Sequence, residues 1–240
     1  MDINLHIAYS TTGLVFALVF VSLGLFAVRF YKHWKREQNE LSQFFFLGFS
    51  GFTIFALIHA IGGLFFADNA QVLRATLSIS AFFRGFSLTC FSYLIFYMFR
   101  SKISPWIGFC TVAAFALLTS YLSIIDPYVP VHAPFLDHYR SINWGTQAIS
   151  DNANYALYAL ILIPLTIIFA KQLKSDDYYI KNRAFGFMSI FGIGILTTFF
   201  SFFMKGPIGA DIATFTSSII ILIFFFATRR KNPPMDKRLT

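Results

Sequence analysis

Residues 11–36 read TTGLVFALVFVSLGLFAVRFYKHWKR. An apolar run gives way abruptly to Arg29, Lys32, Lys35 and Arg36. The hydrocarbon core of a bilayer takes roughly 20 helical residues. The run, taken from about residue 7 to about residue 30, fits that length. The residues before it, MDINLHIAYS, carry no positive cluster and place an acid at position 2. A cleaved secretory signal has the opposite pattern, so this is a first membrane span.

The rest of the chain agrees. Of its 240 residues, 57% are hydrophobic and 12% are charged, where a soluble domain has about a quarter charged. Six more apolar runs lie at about 42–66, 72–99, 105–125, 152–171, 184–204 and 210–228. Backbone in hydrocarbon must satisfy its own hydrogen bonds, so each run is expected to be a helix. The expected fold is an all-α integral membrane protein with seven transmembrane helices. Residues 1–228 form one domain, and 229–240 form a short basic tail. The 33 phenylalanines are expected to cover the lipid-facing surface.

The net charge of +8 follows membrane topology rather than a nucleic-acid partner. Lys32, Lys35, Arg36, Arg100, Lys102, Lys171, Lys174, Lys181, Arg183 and the tail cations all fall on one set of helix ends. The other ends hold Arg140 and Lys205, with Arg74 nearby. Positive loops stay in the cytoplasm, so the N-terminus is expected outside and the C-terminus inside. One long loop, 126–151, lies on the outer side. It is expected to be a packed cap or an interfacial segment, with Trp144 at headgroup level.

One cation does not fit the topology. Residues 76–90 read TLSISAFFRGFSLTC, which puts Arg84 near mid-bilayer. An arginine there costs about 3 to over 10 kcal/mol unless it faces protein or water. Thr76, Ser80, Arg84 and Ser87 are spaced 4, 4 and 3, which places them on one helical face. None of the eleven acidic residues is expected near the midplane. Arg84 therefore gathers hydroxyls, carbonyls and water, or meets a bound anion.

Other polar residues also align. Asp151, Asn154, Tyr155 and Tyr158 share a face of the fifth span. Thr198, Ser201 and Lys205 align on the sixth, and Asp211, Thr214 and Ser218 on the seventh. His59 is in the outer half of the second span and His6 at the start of the first. All of these belong to outer halves, while inner stretches such as IILIFFFA are apolar. The candidate ligand-binding residues are Arg84, Ser80, Ser87, His59, Tyr155, Tyr158, Asp151, Asp211 and Lys205.

No catalytic residues are assigned. The chain has no GxSxG or HExxH motif and no CxxC pair. Cys90 and Cys110 lie within spans, which favours structural thiols. No cofactor is expected, including a haem held by His6 and His59. No metal is assigned to His132, Asp137 and His138. The topology resembles that of rhodopsins and G-protein-coupled receptors. The seventh span, IATFTSSIIILIFFFAT, has neither a retinal-binding lysine nor an NPxxY motif. No family is recognised.

Polarity confined to one half fits an outward pocket above a packed inner half. The expected function is a receptor-like or sensory module for a small or lipid-like ligand, with the bilayer and a cytoplasmic or membrane protein as partners. A prokaryotic cytoplasmic membrane is the expected location. Two alternatives are a small-solute transporter or channel with a three-plus-one-plus-three repeat, and a structural subunit of a membrane complex. Gly48, Gly51, Ala56, Ala60 and Gly63 offer that subunit a close-packing surface.

Overall fold

The computed structural model describes residues 10–99, 103–125, 130–132, 141–144, 148–203 and 207–227. Seven helices appear among them: α1 Thr11–Glu37, α2 Glu40–Phe65, α3 Ala70–Met98, α4 Pro105–Ile125, α5 Ala148–Gln172, α6 Tyr178–Phe203 and α7 Pro207–Ala227. All seven are long and apolar enough to cross a membrane. Two short strands, β1 Val131–His132 and β2 Ile142–Asn143, pair antiparallel between α4 and α5. This ladder is the one departure from an all-helical chain among the described residues.

Polar side chains set several helix starts. Ser10, Asn39 and Asn69 cap α1, α2 and α3, each accepting a bond from a first-turn N–H. The turn from α1 to α2 passes through Gln38 in the left-handed region at φ 51°. α1 outruns its apolar segment and continues through Lys35 and Arg36 to Glu37. Hydropathy marks the part of a helix suited to hydrocarbon, whereas the backbone ladder runs on until a cap stops it.

α1 packs on α2, α2 on α3, α3 on α5, α5 on α6, α6 on α7, and α7 returns to α1. α4 packs on α3 and α5. The tightest approach joins α1 to α2. A Cβ on Gly13 would stand 2.6 Å from the Gly63 carbonyl carbon, and one on Gly63 would stand 2.7 Å from the Gly13 Cα. Ser10 tightens the contact, its N–H and its hydroxyl both donating to the Gly63 carbonyl at 3.0 and 2.9 Å. Gly48, Gly51 and Gly62 face α3 side chains at equally short range. The small-residue surface of α2 is thus used inside this chain, where Ala56 and Ala60 are also buried.

Phenylalanine departs in part from its expected place at the lipid surface. Phe199 and Phe226 are exposed on the bundle exterior, but Phe26, Phe44, Phe45, Phe49, Phe91, Phe169, Phe191 and Phe225 are buried. Seven of these rings form one connected cluster through the half of the bundle away from the β-ladder, while Phe44 stacks on Tyr93 at 3.7 Å. Phe45 lies 4.8 Å from Phe187, Phe169 4.7 Å from Phe187, and Phe91 5.3 Å from Phe191 between centroids. Such pairs add roughly 0.5–1.5 kcal/mol beyond burial. The other half of the bundle is left open.

Candidate functional site

That open half holds a cavity of about 850 Å³. Every helix except α4 contributes to its lining, together with Ile142 and Trp144 from the segment before α5. Phe49's stacking partners Phe91 and Phe191 form part of its floor. Its polar lining includes His59, Arg84, Asp151, Asn154, Tyr155, Tyr158, Thr198, Asp211 and Ser218.

Arg84 reaches this cavity from the middle of α3. One Nη2 hydrogen is donated to the Asn154 Oδ1 at 2.7 Å. The residue that answers the half-buried cation is therefore an amide on α5, and no carboxylate pairs with Arg84 among the described residues. A guanidinium has five N–H donors. Four are without a partner among the described residues.

His59 stands across the cavity on α2 and is 3% exposed. Its Nε2 lies 2.9 Å from the Ser80 hydroxyl, which donates its own hydrogen to the Leu77 carbonyl at 2.9 Å. Ser80 therefore accepts here and His59 Nε2 donates, which leaves Nδ1 a bare lone pair. Nδ1 is buried with no protein partner, and so is the indole N–H of Trp144. The two rings meet edge to face at 4.4 Å. Trp144, expected at headgroup level, follows the β-ladder and packs inward against His59. That placement depends on tertiary structure and leaves no local signal in the sequence.

Asp211 is held by hydroxyls. Its Oδ2 accepts from Thr12 at 2.7 Å and, at closer range, from Ser141. Thr12 Oγ1 in turn accepts from the Ile142 N–H at 2.9 Å. One carboxylate thereby joins α7, the start of α1 and the β2 segment. Thr12 and Ser141 escape a reading based on helical spacing because they come from different elements.

Six of the nine expected site residues, Arg84, His59, Tyr155, Tyr158, Asp151 and Asp211, line the cavity. Ser80 supports His59 from behind. Ser87 turns away, donating to the Phe83 carbonyl at 2.9 Å and packing against Gly51. The helical turn explains the split. At about 100° per residue, Thr76, Ser87 and Ser80 fall within about 40° of one another, with Arg84 a further 40° around. The hydroxyls face α2, and Arg84 at the edge of the stripe reaches α5. Lys205, His6, Asp137, His138, Arg140 and the tail 229–240 lie outside the described residues, and Ser201's side chain is likewise not described.

The arrangement can hold a polar or anionic group. It offers the remaining guanidinium donors and two tyrosines over an aromatic floor. The chain matches no protein-family model and no curated protein.

Proposed function

We propose that this chain is a receptor-like or sensory membrane module that binds a small or lipid-like anionic ligand in the cavity around Arg84. The seven helices cross the membrane with the β-ladder side outward and the basic ends in the cytoplasm, a prokaryotic cytoplasmic membrane being the natural setting. Ligand binding shifts helices, and the basic loops pass that shift to a cytoplasmic or membrane partner. One observation carries the reading: among the described residues, a cation keeps four donors unpaired in a cavity with an aromatic floor. A purely structural arginine at membrane depth would be expected to spend its donors on protein, because each unmet one is costly there. The cavity volume falls within the roughly 300–1,000 Å³ range of small-ligand sites.

Native mass spectrometry of the gently purified protein, beside Arg84→Ala, tests the proposal. The wild type should retain an anionic adduct that the folded variant loses. Identical spectra from two equally folded proteins would remove the chemical basis of the reading. Solute flux in proteoliposomes should stay at background, and sustained flux would make the chain a transporter instead.

A further inference from the structure

A second hollow, about 400 Å³, runs between α5 and α6. It shares Leu162 and the polar residues Asn152, Tyr155, Tyr158 and Thr198 with the cavity. The residues it has alone, Ala159, Ile163, Ile195, Phe199 and Phe203, are apolar. Ile163, Phe199 and Phe203 are exposed on the outer surface of the bundle. Polarity is thus sorted from the Arg84 side outward. The Arg84 cavity and the apolar groove on the bundle's flank border on the same residues, Tyr155 and Tyr158 among them.

We infer that the ligand is a single-chain lipid with an oxyanion headgroup, seated with its headgroup on Arg84 and its acyl chain in the α5–α6 groove. This rests on the anionic-ligand reading of the cavity and specifies the ligand's class. The occupant follows from complementarity at both ends. The guanidinium fork matches a carboxylate or phosphate through paired N–H donors. Of the two carboxylates on the lining, Asp211 accepts hydrogen bonds from Thr12 and Ser141, and neither it nor Asp151 is paired with Arg84. The described residues that line the groove alone are apolar and suit a hydrocarbon chain. A free small anion would leave it empty, and an uncharged alkane would leave Arg84 unmet.

The test uses the full chain in a lipid-free polymer with four probes: hexadecanoate, hexadecyl phosphate, hexadecanol and butyrate. At least one long-chain anion should bind tenfold or more tightly than both hexadecanol and butyrate. Whichever of the two anions binds more tightly identifies the headgroup. Ala159→Trp, at a residue that lines the groove but not the cavity, should bring the long-chain anion down to the affinity of butyrate. Equal binding of butyrate and the long-chain anions would overturn the groove assignment while leaving the anion site standing. Hexadecanol binding as tightly as both anions would overturn the headgroup assignment and the anionic reading beneath it. Should Ala159→Trp not fold, the chain-length comparison in the wild type decides alone.

Discussion

Arg84 and Asn154 form a pair in which a charged donor meets one neutral acceptor. Hydrogen bonds to charged groups are worth about 1.5–3 kcal/mol net, with less expected where water reaches the cavity. Asn154→Ala should therefore cost about 1–2 kcal/mol, seen as a melting temperature lower by several degrees. Arg84→Met combined with Asn154→Leu should recover part of that loss, since replacing both partners leaves no stranded charge. A double variant less stable than Asn154→Ala would mean that Arg84 contributes more to folding than this one bond accounts for. The His59 tautomer gives a second test at this scale. Nitrogen-15 chemical shifts should show a protonated Nε2 and a bare Nδ1, because the Ser80 hydrogen is committed to Leu77. A protonated Nδ1 would reverse the donor and acceptor pattern offered to a ligand. Arg84 and His59 are legible in the sequence because an ionisable residue in apolar surroundings stands out. The role of Asn154 is not, because the expectation for Arg84 names hydroxyls, carbonyls, water or an anion without a residue, and a lone amide in a helix gives no sign of whom it faces.

The helix contacts divide the glycines into two kinds. At Gly13 an added methyl meets backbone at 2.6 Å, whereas at Gly24 it meets only the Thr53 methyl at 3.5 Å. Backbone cannot rotate away, so Gly13→Ala should push α1 off α2 at a cost of about 1–3 kcal/mol. Gly24→Ala makes an ordinary contact and gains helix propensity, so it should be neutral or stabilising by up to about 1 kcal/mol. Thermal unfolding of the two variants in one detergent checks the pair, and equal effects would contradict the close α1–α2 seam at Gly13. The existence of the elements is plain from hydropathy, since seven greasy runs become seven helices. Their ends are less plain. α6 begins at Tyr178, six residues before its apolar run at 184, because a helix can continue in water where hydropathy shows nothing. The β-ladder is hidden too. Two residues per strand are too few for an alternating pattern, and Thr12 holds Ile142 from more than a hundred residues away.

Orientation is a property of the whole chain and rests on its charge asymmetry. Once Cys90 and Cys110 are replaced by alanine, a single cysteine at Ser175, in the basic α5–α6 link, should react with an impermeant maleimide only after cells are opened. A cysteine at Asn69, in the α2–α3 link, should react from outside. The reverse pattern would invert the proposed topology and turn the cavity toward the cytoplasm. The one-sided distribution of polar residues is legible as a count along each span. The enclosed space they make is not, because it depends on α7 returning to α1 and on α4 standing out of the lining.

The carboxylate of Asp211 ties the start of α7 to Thr12 of α1 and to Ser141. Three residues beyond Ser141, Trp144 presses on His59, and His59 leans on Ser80 of α3. The knot thus works as a gear train. Any tilt of α7 at this end pulls on the strand that carries the indole, and the indole bears on two further helices. A cytoplasmic listener attached to α7 would therefore be linked, through one aspartate, to the cover of the cavity.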